Sequence, residues 1–124
     1  MAFVFANPNP KHIRVGDCVV RAISLATGQT WDDVYRTVAD YGYEFKDMPS
    51  SNPVWGKYLE DEGFSRGMTY GQCPHCTVSD FADKHRRGVY ILGTGTHVVC
   101  VRDGNYWDTW DSGDEMPVFV WKER

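Results

Sequence analysis

Apolar positions change their period near residue 88: before it they recur every three or four residues, after it every second. Cys18 to Thr27 carries apolar residues on nearly every face (Val19, Val20, Ala22, Ile23, Leu25, Ala26) and stops at Gly28. A helix apolar all round is a central, buried one. Asp17 or Gly16 is the expected cap, which puts Cys18 in the first turn. Thr30 opens a second helix through Trp31, Val34, Tyr35 and Val38, ending at Gly42, with Asp32 and Asp33 at its positive end. Asn52-Pro53 supplies the cap and first position of a third helix, presenting Trp55, Tyr58 and Leu59 as far as Gly63. A fourth is expected from about Thr77 to Arg87, stopped by Gly88, with Arg86 and Arg87 at its negative end. Two prolines and two asparagines make Asn7 to Ile13 irregular, and Gly63 to Gln72 is glycine-broken and weakly patterned.

After Gly88 the pattern reads as strands: Val89 to Leu92, His97 to Val101, Asn105 to Trp110 and Pro117 to Trp121. Asp103-Gly104 is a strong two-residue hairpin signal. It pairs Arg102 with Asn105, Val101 with Tyr106, Cys100 with Trp107 and Val99 with Asp108. Helices first and antiparallel strands second define an α+β fold class: N-terminal helices, a central cysteine-bearing helix, then a small antiparallel β-sheet.

The 124 residues, 42% of them apolar and 24% charged, suit one domain spanning residues 1–124 with a single core. A net charge of -4 argues against phosphate-driven nucleic-acid binding, which needs a basic face. No apolar run approaches the roughly 20 residues that cross a bilayer, and the start lacks the layout of a signal peptide. Four cysteines are too few for a disulfide scaffold. We therefore expect a soluble, cytoplasmic protein with reduced thiols, no membrane or nucleic-acid partner and no cofactor.

Candidate chemistry centres on Cys18. In the first turn of a helix a thiolate is favoured by free N–H groups and the helix dipole, and a nearby base makes it a nucleophile. Period-two alternation puts His97, Val99 and Val101 on one face with Tyr106, Asp108 and Trp110, so Asp108 lies diagonal to His97 within reach of a hydrogen bond. Asp111 falls on the other face unless a bulge intervenes. A nucleophile, a base and a carboxylate that orients the base is the logic of a catalytic triad. The plain alternative is a small buried Cys18 and a surface His–Asp pair.

Gly16-Asp-Cys-Val-Val-Arg-Ala-Ile-Ser24, followed by Gly93-Thr-Gly-Thr-His-Val-Val-Cys-Val-Arg-Asp-Gly-Asn-Tyr-Trp-Asp-Thr-Trp-Asp111, resembles a small papain-like cysteine peptidase. The order of elements is similar too, and the segment from Cys18 to Ala22 is similar to the nucleophile segment of ovarian-tumour-type deubiquitinases. The resemblance implies a papain-like fold and acyl transfer on a protein or peptide substrate. It matches Cys18 to the nucleophile, His97 to the general base and acid, and Asp108 to the orienting residue. Such peptidases carry an oxyanion glutamine shortly before the nucleophile, and this chain has none there; His12, then Asn9, are the nearest donors by spacing. An aromatic residue usually follows the histidine in the deubiquitinases, whereas Val98 stands here. A papain-like binding module without turnover is the alternative in another functional class.

Cys73-Pro-His-Cys76 has the composition of a thiol–disulfide oxidoreductase site. Alternatively, Cys73 and Cys76 with His75 or His85 are three candidate zinc ligands lacking a fourth, or the segment is a half-buried loop entering the fourth helix. Trp107, Trp110 and Trp121 are expected to pack the sheet, with Trp110 able to shield His97 and Asp108 from water. Asp111 to Glu115 reads as a solvated acidic loop, and Arg21, on an apolar helix, must find a carboxylate or carbonyl partner.

Overall fold

A computed structural model describes residues 2–68, 73 and 75–124. The end of the glycine-broken stretch (69–72) and Pro74 of the cysteine motif lie outside the described residues. The chain is α+β, with four helices and a six-stranded mixed sheet among those residues. In chain order the elements are β1 (Phe3–Phe5), α1 (Cys18–Thr27), α2 (Trp31–Phe45), α3 (Asn52–Asp61), β2 (Phe64–Met68), α4 (Val78–Lys84), β3 (Val89–Gly93), β4 (Val98–Arg102), β5 (Asn105–Asp108) and β6 (Phe119–Glu123). The sheet order is β1-β5-β4-β3-β6-β2.

The β4–β5 hairpin has the expected register, Arg102 against Asn105 through Cys100 against Trp107. Positive φ at both Asp103 (52°) and Gly104 (83°) gives the turn the hand that matches strand twist. Alternation divides the core into two layers. Ile91, Val98 and Cys100 pack with α1, α2 and α3 on one face, while Tyr90, Leu92, Val99 and Val101 pack with α4 on the other. The sheet centre is thus covered on both faces, which explains the unbroken apolar runs of β3 and β4. Helix α1 is central as expected, with seven of its ten residues buried, and Gly28 closes it at φ 77°.

Several boundaries differ from the sequence reading. The sheet is mixed rather than antiparallel, because β1 runs parallel to β5. Its three residues are too few to show a period. Strand β2, in the weakly patterned stretch, is an edge strand specified by its pairing with β6. Helix α2 passes Gly42 to Phe45, since buried Gly42 lets residues 47–49 pack closely on it. Helix α4 stops at Lys84, so Arg86 and Arg87 lie beyond it, and Arg86 pairs with Asp83 instead. Strand β6 begins at Phe119, two residues later than expected, and β5 ends at Asp108 rather than Trp110.

Candidate active site

Helix α1 begins where β4 starts and β5 ends, and these three chain ends bring the candidate residues together. Cys18 is the first residue of α1 and half-buried. His97 immediately precedes β4, its carbonyl accepting from the Thr94 N–H at 2.9 Å and the Thr94 hydroxyl at 3.3 Å. Asp108 ends β5, and its carbonyl accepts from Ala6 N at 2.9 Å, so β1 clamps that strand end. His97 Nε2 and Asp108 Oδ2 are 2.6 Å apart. This leaves the other ring nitrogen for the hydrogen bond between His97 and the Cys18 sulfur. The Trp110 ring centroid lies 4.8 Å from that of His97, with the two rings tilted by 44°.

The Asp108 carboxylate is buried and surrounded by donors. Oδ1 accepts from Thr109 N at 2.8 Å and Arg21 Nη2 at 3.3 Å; Oδ2 accepts from Ser112 Oγ at 2.7 Å as well as facing His97. Four donors occupy the sites a carboxylate offers, which is what a buried charge needs. Ser112 is fully buried, so the segment read as a solvated acidic loop is in part a support for Asp108. No local signal marks Ser112; only the return of the loop beneath β5 brings it there. Asp111 is turned aside, accepting from the Tyr106 hydroxyl at 2.7 Å.

Arg21 has two carboxylate partners, Asp17 and Asp108. Asp17 occupies the N-cap position of α1 but makes no side-chain cap. Its carboxylate is taken by Arg21, by Trp31 Nε1 at 3.0 Å and by Asn9 Nδ2 at 3.2 Å. Among the described residues, Asp17 therefore gives no side-chain cap to the first turn of α1 at the cysteine.

Burial opposes ionisation of Cys18, yet the His97 hydrogen bond, the Val98 N–H and the nearby His97 and Arg21 charges outweigh it and hold the thiol below its ordinary value. Burial likewise opposes protonation of His97. Its bonds to Asp108 and Cys18 and their negative charges prevail, pushing it up to about 9. Asp108 is held below the usual carboxylate range: burial works against this, but His97, Ser112 and the Thr109 N–H prevail. Together these shifts favour a thiolate–imidazolium pair over a neutral thiol and imidazole.

A cleft of about 160 Å³ opens at this pair, bordered by Gly16, Cys18, His97, Val98, Asn52 and Phe119. Gly93 permits one wall, since a Cβ there would overlap the Phe119 ring. Neither expected oxyanion donor borders the cleft. His12 is exposed at φ 55°, and Asn9 is buried with its amide spent on Asp17. Spacing placed them near Cys18 in sequence, but residues 9–15 turn away toward α2. Asn52 was expected as a helix cap; it is the first residue of α3, and Ser51 holds the cap position with its hydroxyl donating to Asp47 Oδ2 rather than capping the helix. The Asn52 Oδ1 accepts from Trp55 Nε1 at 3.2 Å. An indole N–H can only donate, so the amide's oxygen end is fixed and its NH₂ end remains free among the described residues.

Cys73 and Cys76 are buried and joined to each other, where free thiols were expected, and the Lys84 ammonium stands 3.4 and 3.7 Å from their sulfurs. His85 stacks on Phe81 and bonds its carbonyl at 2.8 Å, apart from the zinc arrangement considered for it. No group of three or more His, Cys, Asp or Glu residues among those described is placed to hold a metal ion. No described helix is long and apolar enough to cross a membrane. No protein-family model, curated protein or solved structure matches the chain.

Proposed function

We propose that this chain is a papain-like cysteine peptidase or related amide hydrolase acting on a protein or peptide substrate. The observation that carries the reading is the hydrogen-bonded chain from Cys18 through His97 to a fully satisfied Asp108. The order of elements supports a papain-like architecture: a cysteine opens the central helix, and the histidine and carboxylate follow on the sheet.

The Cys18 thiolate attacks the amide carbonyl carbon, forming a C–S bond and an oxyanion. The His97 imidazolium gives its proton to the amide nitrogen as the C–N bond breaks, leaving a thioester and a free amine. Neutral His97 then takes a proton from water, the hydroxide attacks the thioester, and the C–S bond breaks to release the acid and restore the thiolate. Asp108 holds the imidazole ring in one orientation throughout. The Cys18 N–H and the Asn52 amide stand as oxyanion donors, and Asn52→Ala is expected to lower kcat by about a hundredfold.

The test is amide cleavage across a mixed fluorogenic peptide library by wild type and Cys18→Ala. Cleavage that disappears with Cys18 while the fold is retained supports the reading; cleavage that survives Cys18→Ala sinks it. Partner capture that persists in Cys18→Ala, without turnover in either protein, favours the binding module.

A further inference from the structure

A groove of about 650 Å³, walled mostly by apolar side chains, runs between residues 9–17 and helix α2. Its floor is Val19, Val20 and Val38, and Trp31 and Tyr35 line one wall as a stacked pair with ring centroids 5.1 Å apart. The groove lies within the size range of ligand pockets, about 300–1,000 Å³. Three large apolar residues on its border, Ile13, Val15 and Tyr35, are 46%, 50% and 52% exposed. Leaving that much apolar surface wet is unfavourable unless something covers it.

The groove adjoins the reaction cleft. Gly16, Val19 and Ser50 border both. At Gly16, which borders both, a Cβ would meet nothing within 4 Å. The direction follows from proton transfer. The leaving amine must sit beside His97, which borders the cleft but not the groove. The groove is thus on the side left for the acyl portion of the substrate.

We propose that this groove binds the acyl side of the substrate, as an extended peptide segment with large apolar side chains immediately before the scissile amide. The inference rests on the hydrolase reading. The substrate class is accordingly peptides with apolar, aromatic or branched residues next to the reacting carbonyl, and glycine-rich acyl segments are poor substrates. Tyr35 and Val15 are specificity-determining residues that touch this segment.

Chloromethyl ketones test this without knowledge of a natural substrate, because each places its peptide on the acyl side of the carbonyl. Site-resolved mass spectrometry would follow Cys18 labelling by acetyl-Leu-Phe-chloromethyl ketone, acetyl-Gly-Gly-chloromethyl ketone and iodoacetamide, the last too small to use the groove. The apolar ketone is expected to label Cys18 at least about tenfold faster than the glycine ketone. Val15→Asp and Tyr35→Asp, each at a half-exposed position, should separately erase most of that preference. Equal labelling by the two ketones, or a preference untouched by both variants, overturns the proposal even where iodoacetamide finds an activated Cys18. A Cys18 no faster with iodoacetamide than an ordinary thiol overturns the hydrolase reading and this proposal with it.

Discussion

Cys18 and Cys100 are the two free thiols, and the chain treats them oppositely. Cys100 sits in the middle of β4, fully buried, and burial pushes its thiol up to about 12. Cys18, half-buried at the start of α1, is held below its ordinary value. Burial pushes both upward; what differs is company. Cys18 has a ring nitrogen, a backbone N–H and two nearby cations, whereas Cys100 has apolar neighbours and the weak, opposed charges of Arg102 and Asp103. A cysteine's surroundings at the end of an element, more than its depth, decide whether it is packing or a nucleophile.

The most direct way to break that contrast is to label both thiols in the folded protein. At pH 7, iodoacetamide should modify Cys18 about a thousandfold faster than Cys100, or more, and the two should converge within about threefold after unfolding in guanidinium. Equal rates in the folded protein would abolish the distinction.

The next largest effect is expected from Arg21, whose guanidinium joins two buried carboxylates. Arg21→Ala leaves Asp17 and Asp108 uncompensated and should cost about 3–5 kcal/mol in urea unfolding. A loss below about 1 kcal/mol would mean that the pair is no more than a solvated one.

His97→Ala sharpens the comparison by removing both the hydrogen bond and the charge that favour the thiolate. Cys18 alkylation at pH 6.5 should fall by about tenfold or more, with its pH midpoint moving up toward the ordinary thiol range. The same residue sets a pH window for stability. Since the folded site raises His97 from 6.5 to about 9, its stabilisation is complete below pH 6.5 and fades as pH climbs through about 9. Asp108, lowered from 3.8, contributes above that value and loses its contribution in acid. Urea midpoints of wild type and His97→Ala should therefore draw together above pH 9.

The smallest effect is expected at Ser112, which touches neither thiol. Ser112→Ala removes one of four donors from Asp108 and should cost about 1.5 kcal/mol. Its readout beyond stability is the Cys18 alkylation profile, which should shift upward slightly as His97 loses part of its fixed partner. An unchanged profile would make Ser112 purely structural.

Much of this architecture was legible from local chemistry. The all-apolar stretch after Cys18, ended by Gly28, identified the central helix, and Asp103-Gly104 gave the hairpin and its register. From that register alone, strand alternation brought Asp108 within reach of His97. These features are local because helix period, turn dihedrals and antiparallel pairing act over a few residues. The need of Arg21 for a carboxylate was legible too, since a buried guanidinium must be paired.

Tertiary structure decided which groups complete the site. Asp17 turns from capping α1 to binding Arg21, Trp31 and Asn9, because a buried guanidinium and two N–H donors outcompete a helix end for one carboxylate. Ser112 reaches Asp108 only because the chain folds back under β5, and Asn52 reaches the cleft only because α3 packs against α2. The same packing removes Asn9 and His12 from it. β1 and β2 are strands solely by virtue of their neighbours, being too short or too glycine-broken to carry a period. Sequence determined the periodic elements and the charges that had to be paired. Which donor met which acceptor was decided by long-range packing, because every buried polar group must be satisfied by partners that only the assembled fold brings within 3 Å or so.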